Sequence, residues 1–285
     1  MSETHFFEQK DGSKIAYRIF EPETIKNEIP LVLIMGLGGT KETFMGYEEV
    51  IVFDNRGIGE STVVSLSDPI TIELMAQDTI ELIKHLGIKK FNLFGGSMGG
   101  NIALCIALNI PSDLKLEKLI IGCGFARFPT GEKFQEADKY FSLPEMSRPK
   151  TIQEQKDMLL KSEKNFADYL LEHPDKFDKV AEHLANTNDS RPFEIYKSQW
   201  EAIKKTDLIS RLHMIKVPTL IIHGEADEVV PIQAAELLDR EIPNTQFYRI
   251  PNVGHSIYVM APESTIIINE FLNKEITARV ISCLI

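Results

Sequence analysis

At 285 residues, with 43% hydrophobic and 26% charged residues, the chain has the size and make-up of one large soluble domain or of a core domain carrying an insertion. Its formal net charge of −11 excludes the basic surface that nucleic acid requires. No stretch approaches the roughly 20 apolar residues of a spanning helix, and Cys105, Cys123 and Cys283 have neither metal nor redox spacing.

The polar, acidic start MSETHFFEQKDG lacks the apolar run of a secretory signal, so a cytoplasmic location is expected. His5–Phe20 then reads as a hairpin, with apolar residues alternating on either side of the turn Asp11-Gly12. Short continuous apolar runs follow at Leu31–Met35, Val50–Phe53, Phe91–Phe94, Leu119–Ile121 and Thr219–His223. Runs without alternation suit parallel strands covered by helices on both faces. Between them, Ile72, Met75, Ala76, Ile80 and Ile83 make one apolar face over Thr71–Leu86, with Gly87 as the C-terminal stop. Met98–Leu108 is apolar nearly all round and predicts a buried helix.

Strands alternating with helices predict an α/β fold with a mainly parallel central sheet. The strand pattern stops near Ile121 and resumes near Val217. The segment between reads as helices at Thr151–Leu171, Asp175–Ala185 and Phe193–Lys204. From Arg127 to Lys216 it holds 16 basic and 16 acidic residues, the balanced pattern of solvated helix faces, so the rest of the chain carries the whole negative excess. The expected organisation is a core at 1–125 and 217–285, with a helical lid at 126–216 over a pocket.

Chemistry concentrates at the strand-to-helix junction FNLFGGSMGG, where Gly95-Gly96-Ser97-Met98-Gly99 forms a G-x-S-x-G pattern. A serine there is either a nucleophile or the cap of a Gly-rich turn. The junction has no P-loop lysine and no dinucleotide fingerprint, which favours the nucleophile. A serine hydroxyl needs a general base, and the base an orienting acid. Of the seven histidines, His255 follows Asn252-Val253-Gly254 in a loop just after an expected strand at Gln246–Ile250. Parallel sheets place their sites at that edge. His223 ends a buried strand and reads as a core residue. The acid is Asp227 in Gly224-Glu225-Ala226-Asp227, with Glu225 as runner-up. Backbone N–H groups of Met98 and of Leu37, in the loop Gly36-Leu37-Gly38-Gly39, are the expected oxyanion donors.

With these residues placed, the chain resembles the α/β-hydrolase superfamily over nearly its whole length, from the strand at Leu31 to a helix at Pro262–Asn273. The resemblance rests on GGSMGG, on DNRGIGES (Asp54–Ser61), on Gly224-Glu225-Ala226-Asp227 with Pro231, and on Gly254-His255. Among members it is most similar to lidded carboxylesterases and 3-oxoadipate enol-lactonase-like proteins. That implies hydrolysis of a small ester or lactone without metal or organic cofactor, and a bracing role for Asp54 and Arg56. Perhydrolysis, carbon–carbon bond hydrolysis, acyl transfer or a binding protein with little turnover would use the same frame. Two features depart from the family pattern: Met35-Gly36 replaces the frequent His-Gly, and only Gly36–Glu49, 14 residues, joins two strands expected to be parallel. The ending TARVISCLI is also unusual for this fold. Lid apolar residues, including Phe134, Tyr140, Phe141, Leu143, Phe166, Tyr169, Phe193, Tyr196 and Trp200, could line an acyl pocket or form the lid's own core.

Overall fold

Each apolar run becomes a strand of one sheet in the computed structural model, which describes residues 3–20, 29–44, 50–129, 136, 138–139 and 148–272. The strands are β1 (His5–Glu8), β2 (Lys14–Phe20), β3 (Leu31–Ile34), β4 (Val50–Phe53), β5 (Lys90–Gly96), β6 (Lys115–Gly122), β7 (Thr219–Gly224) and β8 (Thr245–Ile250). Their order is β1-β2-β4-β3-β5-β6-β7-β8. β1 and β2 form the expected hairpin, β2 pairs antiparallel with β4, and from β4 onward every pairing is parallel.

Alternate residues of the central strands enter two separate cores. Val32, Ile34, Ile51, Phe53, Leu93, Ile121 and Ile221 face one core, completed by α1 (Ile72–His85) and α2 (Met98–Leu108). Leu31, Leu33, Val50, Val52, Phe94, Ile120 and Leu220 face the other, which takes Ile268 from a C-terminal helix. Burial on both faces explains why these runs lack a polar alternation. Thr71 caps α1 by accepting from Leu74 N–H, and Gly87 adopts φ 70° just beyond the helix.

The segment joining β3 to β4 does make a parallel connection, with Leu31 opposite Val50. It holds a 3₁₀ turn at Lys41–Phe44; residues 45–49 lie outside the described residues, as do Phe134, Tyr140, Phe141, Leu143 and the chain end. Asp54 braces this region. It accepts from Lys41 N–H (2.7 Å), Lys41 Nζ (2.8 Å) and Glu60 N–H (2.9 Å). Arg56 forks onto both oxygens of Asp78, at 2.6 and 2.7 Å.

Between β6 and β7 stand α3 (Ile152–Leu159), α4 (Lys164–Glu172), α5 (Pro174–Asn186) and α6 (Phe193–Lys205). Thus the single helix expected over Thr151–Leu171 is two. Tightened bonds from Lys161 N–H to Met158 and from Ser162 N–H to Leu159 end α3, and Glu163 turns extended before α4 begins. Leu159, Phe166, Leu170, Val180 and Ala181 form a small core within these helices. The chain closes with α7 (Gln233–Glu241), α8 (Ile257–Met260) and α9 (Glu263–Phe271). Among the described residues no helix is long and apolar enough to cross a membrane.

Candidate active site

Ser97 occupies the sharp turn between β5 and α2 with φ 54° and ψ −120°. A non-glycine residue held there stores about 1–3 kcal/mol of strain, which the surrounding packing must sustain. The turn is possible because α2 starts directly against β3: a Cβ on Gly99 would lie 2.3 Å from the Ile34 carbonyl oxygen. Ser97 N–H is anchored to the Gly122 carbonyl at 2.8 Å, tying the turn to the end of β6.

The predicted residues converge. His255 Nε2 lies 3.0 Å from Ser97 Oγ, and His255 Nδ1 lies 2.8 Å from Asp227 Oδ2. Ser97 follows β5, Asp227 follows β7 and His255 follows β8, so three loops at one sheet edge meet. Asp227 Oδ1 accepts from Val229 N–H (2.9 Å) and Val230 N–H (2.7 Å), which fixes the carboxylate in its own turn. Glu225 is exposed on that loop and does not join them.

His223 is the residue that sequence reading underestimates. It is fully buried, as a core residue would be, yet its Nε2 lies 3.2 Å from Asp227 Oδ2 and 2.8 Å from the Val230 carbonyl. Its four-residue spacing from Asp227, across the end of β7, was the available signal. Glu163 is a second such residue. It is buried, and its carboxylate accepts from His255 N–H and Glu228 N–H.

These contacts set the charge states. Burial pulls the His255 imidazole toward neutrality, but Asp227 outweighs it and the pKa is raised above 6.5. Burial works against Asp227 ionisation as well, and the two histidines overcome it, holding the carboxyl well below the usual range. Glu163 is raised, first by burial and then by Asp227. Buried Cys123 is pushed well upward by burial, with Asp227 adding to it, so its sulfur stays a thiol. Cys123, Asp227 and His255 offer ligand atoms within 4.8 Å of one another. The His255–Asp227 hydrogen bond already engages a nitrogen and an oxygen of that set.

The loop after β3 passes against the serine. A Cβ on Gly36 would lie 3.3 Å from Ser97 Cβ, which brings Leu37 to the same cavity wall as Ser97, while Met98 opens α2. Asn55 Nδ2 donates to the Met35 carbonyl and Gly38 N–H donates to Gln199 Oε1, so α6 also braces this loop. In front of Ser97 and His255 lies a cavity of about 460 Å³. Leu37, Phe125, Phe166, Leu184, Tyr196 and Trp200 make much of its wall, and His183, Thr187 and Arg191 contribute polar groups. Tyr169 and Phe193 do not line it.

Residues 29–262 match the family model described as alpha/beta hydrolase fold. The chain is 27% identical over 241 residues to a Caulobacter sp. (strain K31) protein provisionally named carbamate hydrolase RutD, covering 82% of this chain and 86% of that one. It is 27% identical over 268 residues to Lipase 1 of Psychrobacter immobilis, covering 89% and 78%. Among solved structures, the enol-lactonase from Burkholderia xenovorans LB400 superposes with a TM-score of 0.76 at 24% identity, covering 93% of this chain and 98% of that one. The family-model match spans β3 to β8, the serine turn and both partner loops, and on it the chain belongs to the α/β-hydrolase family.

Proposed function

We propose that the protein is a serine hydrolase that cleaves a carboxylic ester or lactone through an acyl-enzyme on Ser97. The observation that carries this reading is the continuous hydrogen-bond chain Ser97–His255–Asp227, at 3.0 and 2.8 Å. His255 takes the proton as Ser97 Oγ attacks the carbonyl carbon, and Asp227 orients the imidazole and stabilises its charged form. Leu37 and Met98 N–H groups receive the oxyanion of the tetrahedral intermediate. His255 returns the proton to the leaving alcohol, then activates water to release the acid and free Ser97.

The mainly apolar cavity suits an uncharged acyl or alcohol group of modest size, and relatives named as lipase and enol-lactonase agree with that class. In this reading the helical segment within residues 126–216 serves as the lid, supplying Phe166, Leu184, Tyr196 and Trp200 to the wall.

The test is hydrolysis of short p-nitrophenyl esters by the wild type and Ser97→Ala, with fluorophosphonate labelling in parallel. The variant should lose turnover by about 10⁴-fold or more and all labelling. Equal rates would overturn the assignment. A wild type that neither turns over nor labels would favour a binding protein instead. Carbamates in the same panel separate ester from carbamate preference.

A further inference from the structure

Glu163 stands at the break between α3 and α4, only 3% exposed. Placed just before α4, it makes no side-chain cap for that helix. Its two oxygens serve two other loops instead. Oε1 accepts from Glu228 N–H at 2.6 Å, and Oε2 accepts from His255 N–H at 2.8 Å. Glu228 directly follows Asp227, so one carboxylate ties the backbone of the acid's loop to the backbone of the histidine itself.

Gly254 makes this approach possible. A Cβ there would lie 2.8 Å from Glu163 Oε2 and 2.7 Å from Asn165 Oδ1. Burying a carboxylate is costly unless its hydrogen bonds are made, and among the described residues Glu163 accepts from two neutral backbone amides rather than from a cationic side chain. Here its charge falls on the neighbouring site.

We propose that Glu163 is a positioning residue for the reaction at Ser97: by bridging Glu228 N–H and His255 N–H it holds the Asp227 and His255 loops in register. This rests on the serine-hydrolase reading above. Among the described residues, the ionisable groups near His255 are Asp227, Glu163 and the Cys123 thiol, and Asp227 in turn meets His223. Glu163 therefore adds a second negative charge that favours the imidazolium formed during acyl transfer.

Glu163→Gln removes the charge and turns one acceptor into a donor facing an N–H. With p-nitrophenyl ester as the probe, kcat should fall about ten- to a hundredfold while KM changes little. The acidic limb of the kcat/KM profile should move to lower pH by about half a unit or more, which a purely structural role would not produce. Glu163→Asp keeps the charge but shortens the reach; it should lose kcat while largely retaining the wild-type midpoint, and it decides the matter if the Gln variant does not fold. Wild-type kcat and midpoint in the folded variants would overturn the proposal. A wild type lacking Ser97-dependent turnover would instead overturn the hydrolase reading, and this one with it.

Discussion

Lys41 Nζ lies 2.8 Å from Asp54 Oδ2, and neither side chain reaches solvent. Such a pair contributes little beyond an apolar substitute, but breaking it leaves a buried charge without compensation. Among the described residues, Asp54 keeps two backbone donors, Lys41 N–H and Glu60 N–H, once the ammonium is removed. Lys41→Met should therefore lower unfolding free energy by about 3–5 kcal/mol in urea titrations. A loss below about 1 kcal/mol would show that the pair is not needed to hold the loop after β3.

Asp227 and Glu225, two of the acids in the loop after β7, should behave in opposite ways. In the proposed mechanism Asp227→Asn cannot hold the imidazole in its productive tautomer, and kcat should fall by about 10³–10⁴-fold. Exposed Glu225→Gln should remain within about twofold of wild type. Steady-state ester hydrolysis by the two variants discriminates them, and similar losses in both would reassign the acid.

The pH profile follows from His255. Its pKa in the folded protein is raised above 6.5, and in the proposed mechanism it must be neutral to accept the Ser97 proton. kcat/KM should therefore rise with pH along a limb whose midpoint lies above 6.5. The same raised value stabilises the fold below the ordinary histidine pKa, and that contribution disappears as pH climbs through the folded value. A limb centred at or below 6.5 would contradict the Asp227 contact.

Features that depend on local pattern are legible in the sequence. Unbroken runs such as Leu31–Ile34 announce strands covered on both faces, and Ser97 and Asp227 follow such runs, whereas His255 follows the largely exposed β8. What escaped depends on partners distant in sequence. Nothing between Leu160 and Glu163 is a glycine or proline, so the break between α3 and α4 carries no local mark. Its carboxylate bonds residues 65 and 92 positions away. Lys41 looks like an exposed lysine in a Gly-rich turn until Asp54, on the neighbouring strand end, closes over it. His223 reads as core and is core; only the fold shows that its ring also touches the Asp227 carboxylate.

The break at Glu163 bears on how such enzymes diversify. The helices that wall the cavity and the carboxylate that ties the Asp227 and His255 loops lie on one continuous stretch of chain. Exchanging that stretch for another would replace the wall and delete the tie in a single event. Grafts are then compatible only when the donor carries an acceptor at the same place, or when Gly254 and its neighbours change with it. Recombination in this protein should travel as a block, and point substitutions along α5 and α6 are the freer route to new substrates.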